Sequence, residues 1–147
     1  MAVSISYAEL LALGPCEDRL NNAIEKFGGA EKWGDARVTA KQACAAGVTF
    51  SDLVWVSSAL ARKDKDVERR LRLWIADCAA RVLNIYEKTE SSTAPRNAIV
   101  AARQFARGKI RAAAWAAVAP PARDAARDAA WDAAWDAQLA KFIEIFG

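Results

Sequence analysis

Chemistry in this chain falls to carboxylates, guanidinium groups, three thiols and six indoles, because its 147 residues include no histidine. That removes the commonest general base and the commonest zinc ligand together. Cys16, Cys44 and Cys78 are widely spaced and form no C-x-x-C pair. Neither a zinc site nor a disulfide framework is expected from them. No Walker-type loop, G-x-G-x-x-G or G-x-S-x-G occurs. Two constellations remain. Asp77 and Arg81 lie one helical turn apart at the margin of an apolar face, and either form a local ion pair or offer a perturbed carboxylate to a site. Arg96, Arg103 and Arg107 share one helix face, with Lys109, Arg111 and Trp115 following, a footprint that phosphate contacts would need. No helix-turn-helix, finger or ribonucleoprotein motif accompanies this strip. Nucleic-acid binding is therefore the lesser reading, behind a solvated face of snorkelling arginines.

Trp115, Trp131 and Trp135 stand on alanine-rich segments. Large rings among small neighbours either fill gaps between helices or form a hot spot for a protein partner. Asp124, Asp128, Asp132 and Asp136 recur every four residues in the tandem ARDA-ARDA-AWDA-AWDA. Such a row could ligate a hard cation, but local pairing of Asp124 with Arg127 on a solvated face explains it as well. Neither metal nor cofactor is expected.

These groups must be positioned by helices. Val67, Leu71, Trp74, Ile75, Cys78, Val82 and Ile85 recur at helical spacing, which predicts a central helix over 67–88 with one broad apolar face. Asp64 or Asp66 caps its start, after a charged connector at 62–66. Pro95 suits the first turn of a following helix, which is expected to run through Gly108 toward Val118. A short loop between the two forces an antiparallel return, so Arg103 should lie nearer Asp77 and Arg96 nearer Glu87. The last helix begins at Pro121 or Ala122. Upstream, short helices are expected at 7–13, 16–27, 40–46 and 51–61. Gly14-Pro15, Gly28-Gly29 and Gly47 punctuate them, and a Trp33-Gly34-Asp35 turn places its indole in the core.

Alanine dominates the apolar half of the composition, and alanine loses no side-chain entropy in a helix. The class expected is all-α: one single-domain multi-helix bundle of antiparallel hairpins, with an N-terminal helical arm over 1–62 and a helical core over 66–147. A net charge of +3 excludes a nucleic-acid mimic, which needs a strongly acidic surface. No apolar run reaches the ~18 residues of a membrane span, and no leader pattern opens the chain. With unpaired cysteines, a reducing cytoplasm is the expected compartment.

Three blocks carry a family resemblance: LWIADCAARVLNIYEK, APRNAIVAARQFARGKI and the alanine- and tryptophan-rich tail ending in QLAKFIEIF. Over about 71–146 the chain resembles the Imm-5-like family of immunity proteins. The loop reads Ser-Ser-Thr-Ala-Pro-Arg where that family's pattern carries acidic residues and R-P-R. The resemblance implies a non-enzymatic inhibitor that neutralises a toxin by direct binding. A phage or prophage inhibitor of a host defence component is the comparable alternative.

Overall fold

A computed structural model describes residues 2–89, 92–111 and 135–147. Among these the chain forms eight helices and one pair of two-residue strands, an all-α fold. Contacts divide it into two compact units, Met1–Glu68 with Phe142–Gly147, and Arg69–Lys141.

In the first unit, strand β1 (Ser4–Ile5) pairs antiparallel with β2 (Val38–Thr39), Ser4 opposite Thr39. These strands were not expected from the sequence: two residues are too few to show an alternating pattern. Arg37 clips the pair, donating from Nε to Ser4 Oγ (3.0 Å), from Nη2 to the Ser4 carbonyl (2.7 Å) and from Nη1 to Glu9 (3.0 Å). The helices start where their caps dictate. Ser6 and Glu9 form a capping box on α1 (Tyr7–Ala12), Thr39 and Gln42 another on α4 (Ala40–Ala45), and Thr49 caps α5 (Phe50–Ala61). Between them lie α2 (Glu17–Lys26) and α3 (Ala30–Trp33). The expected turn at Trp33 is thus the end of a short helix, and its indole is buried as anticipated. Ile5, Leu10 and Trp33 form the centre of this core, with Leu20, Phe27, Trp55 and Leu60 packed around them. Trp33 meets Phe27 at 4.6 Å and Tyr7 at 5.7 Å between ring centres. Phe142, fully buried, stacks on Phe146 at 4.4 Å and meets Phe50 edge-on at 5.7 Å.

Helix α6 (Lys65–Thr89) is the expected central element, and Asp64 caps it by accepting from the amides of Asp66 and Val67. Lys65 and Asp66 accordingly belong to the helix rather than to the connector. The single broad face anticipated for α6 is instead two. Val67, Trp74 and Cys78 are buried on one side; Ala76 and Ala79 are buried on another, against Ile99 and Ala102 of α7 (Ala94–Ala106). Ile75, expected inside, is 42% exposed. At about 100° per residue it falls in the gap between the two faces. The side chains of Val82 and Ile85 lie outside the described residues.

Helix α7 also ends sooner than expected. Gly108 adopts φ +70°, its amide donates to the Phe105 carbonyl (2.9 Å), and the Lys109 amide reaches back to Gln104 (2.8 Å). This pair of bonds satisfies the last carbonyls and terminates a helix wherever glycine can take the left-handed conformation at C′. A glycine read as a tolerated interruption is therefore the stop. The expected continuation to Val118 and the start of the last helix at 121–122 lie outside the described residues. Within the second unit Trp74 is anchored by its indole, which donates from Nε1 to the Gln138 carbonyl (3.0 Å) of α8 (Trp135–Phe146).

Candidate functional site

The charged groups singled out from the sequence converge on the α6–α7 pair. Ala76, Ala79, Ile99 and Ala102 let the two helices approach closely, since their side chains add little bulk between the backbones. Asp77 and Arg103 flank this seam. Arg103 donates from both Nε (3.1 Å) and Nη2 (2.7 Å) to Asp77 Oδ1. The other carboxylate oxygen, Oδ2, lies 3.6 Å from Lys141 Nζ of α8. One carboxylate therefore meets two cations from two other helices.

Near the other end of the seam Arg96 donates from Nε (2.8 Å) and Nη2 (2.6 Å) to the two oxygens of Glu87, a fork-to-carboxylate pair. These hydrogen bonds hold the Glu87 carboxyl below the ordinary carboxylate value and raise Arg96 further. The antiparallel return thus produces both pairings expected from it. Arg72 stacks over the Phe105 ring at 5.1 Å, adding a cation–π contact.

Arg81 has a different place. It is exposed, and Asp77 is satisfied by Arg103 and Lys141 rather than by its own i+4 neighbour. Arg107 caps the C-terminus of α7 and is exposed, with Lys109 and Arg111 exposed after it. The arginine strip is consequently less basic than its sequence: Arg96 and Arg103 each spend their charge on a carboxylate. Val100, 48% exposed, lies on the same edge of α7 as Arg96, Arg103 and Arg107, at i+4 from the first. Trp115 and Trp131 lie outside the described residues, as does the side chain of Trp135. The aspartate row survives only as exposed Asp136; Asp124, Asp128 and Asp132 are likewise outside.

Cys78, beside Asp77, is buried, and desolvation pushes its thiol up to about 11, against a partial pull downward from Arg81. Burial and the raised value keep this thiol protonated at neutral pH, the state of a packing group. Lys141 is the member of the network that sequence reasoning missed. No local spacing signals it, because its contact with Asp77 is made between helices remote in sequence.

The geometry presents guanidinium and ammonium groups on a helix pair locked by its own ion pairs. A model of the Imm-5 like putative immunity protein family matches residues 60–140, more than half the chain. The chain belongs to this family. The Imm-5-like segment contains α6, α7, both arginine–carboxylate pairs and the exposed edge at Val100. No match was found among curated proteins or among solved structures.

Proposed function

We propose that this chain is a non-enzymatic immunity protein, which neutralises a toxin by binding it directly. The observation that carries this reading is the family match across the α6–α7 pair. The edge of α7 formed by Val100 and Arg107, with Arg96 and Arg103 beside it, is the surface proposed for contact. An apolar residue beside Arg107, with Arg96 and Arg103 already paired to carboxylates, suits a partner surface with an apolar centre and an acidic group facing Arg107, where complementarity speeds encounter and fixes orientation. Pairing within the protein helps. Arg96 and Arg103 are held in place before the partner arrives, so little side-chain entropy is lost on binding.

Sequencing the genes beside this one and co-expressing the chain with any toxin they encode tests the reading. Growth should be rescued by the wild type, with recovery of a stable complex. Val100→Asp and Arg107→Glu should lose rescue while melting normally. Failure of the wild type to rescue or to form a complex would refute the proposal. Nucleic acid captured in its place, by sequence-selective and salt-resistant binding, would move the arginine strip to the other reading.

A further inference from the structure

The first unit, most of which lies outside the family match, encloses a cavity of about 80 Å³. Its floor is apolar and buried: Ile5, Leu10, Ala43, Leu53, Phe142 and Phe146 all line it. Its polar lining includes the buried Ser57 and the partly exposed Arg19 and Asp52, whose side chains keep 33% and 19% exposure. Arg19 Nη1 lies 3.3 Å from Asp52 Oδ1, and its guanidinium sits over the Trp55 ring at 5.3 Å.

Two donors around this cavity lack acceptors. Arg19 Nη1, near Asp52 but not aligned for a hydrogen bond, and Trp33 Nε1 are both shielded from solvent without a hydrogen-bond partner among the described residues. Trp33 itself is 5% exposed. A buried donor left unmatched is costly, and an acceptor supplied from outside would satisfy Arg19 Nη1 better than the misaligned Asp52 does.

We infer that this cavity binds a small neutral amide with a short alkyl tail. The tail fills the apolar floor. A void of roughly 150 Å³ holds a benzene ring, so here the tail is about three or four carbons long. The carbonyl supplies the missing acceptor to Arg19, and the amide N–H donates to Asp52. A charged head is disfavoured from either side: a carboxylate would face Asp52, and an ammonium would face Arg19. This inference is independent of the surface on α7 proposed for toxin contact.

Butanamide is the probe, titrated into the full chain and followed by backbone and indole N–H NMR shifts. Saturable shifts at Arg19, Trp33 and Leu53 are expected, with butanoate and butylammonium at least about fivefold weaker. Ala43→Leu places a larger side chain in the floor and should abolish the shifts. Asp52→Asn should turn the preference toward butanoate, because Arg19 is then the unopposed charge. If Ala43→Leu melts early, the Asp52→Asn preference decides. The inference is overturned by shifts that do not saturate, by equal affinity for the three head groups, or by an unchanged head-group order in Asp52→Asn.

Discussion

Arg103 and Asp77, 26 residues apart in the chain, meet through two hydrogen bonds onto one carboxylate oxygen at 3.1 and 2.7 Å. The contact ties α7 to α6 beside their alanine seam, and Lys141 brings α8 to the same carboxylate. A carboxylate this sheltered would be costly to leave without a donor. Its satisfaction by neighbouring helices, rather than by Arg81, makes it a tertiary fastening.

Removing either partner should therefore destabilise the chain moderately. Asp77→Ala and Arg103→Ala should each cost about 1–2 kcal/mol, discounted for the partial exposure of both groups. The double mutant should cost clearly less than the two single losses combined, with a coupling of about 1 kcal/mol in urea unfolding. Strict additivity would show that the pair contributes nothing of its own.

Trp74 combines burial with an indole bond to Gln138. Trp74→Ala should cost roughly 3–5 kcal/mol through the cavity it leaves. Trp74→Phe keeps part of the ring volume and loses the N–H donor, so a smaller loss is expected. A melting temperature unchanged in the alanine variant would contradict the packing of this face.

The Cys78 thiol gives a pH dependence. Its folded value is raised from 9.0 to about 11 by burial, so the unfolded chain ionises first. Stability from this group is complete below about 9, falls as the pH rises toward 11, and levels off beyond that value. Cys78→Ala should flatten this part of the alkaline limb. In native protein at pH 8, a thiol reagent should modify exposed Cys16 first and Cys78 only on unfolding. Equal rates at both positions would overturn the assignment.

Gly108 stops α7 at φ +70°, and among the described residues nothing beyond its own chain neighbourhood lies within 4 Å of where a Cβ would stand. Space is therefore not the constraint; backbone conformation is. Gly108→Ala should cost about 1 kcal/mol, the strain of a left-handed non-glycine residue. A stabilised variant would mean that the helix continues through this position.

Helix identity was written locally. Ser6 with Glu9, Thr39 with Gln42, and Thr49 form the caps of α1, α4 and α5, and such a cap needs only residues within three positions. The all-α class followed from alanine content, and the pairing of Arg103 with Asp77 and Arg96 with Glu87 from the short loop that forces an antiparallel return. Tertiary structure decided the rest. Periodicity could show that α6 has apolar positions, but not that a second helix would cover its alanines and leave Ile75 in the gap. Gly108 was ambiguous because the same residue interrupts a helix or ends it, depending on whether the next amide can turn back to Gln104. Arg37 with Ser4 and Glu9, Arg19 with Asp52, and Lys141 with Asp77 join residues distant in sequence, and no local spacing encodes them. Such contacts arise only when separate helices and strands are packed together, since it is packing that brings remote charges within hydrogen-bonding or ion-pairing distance.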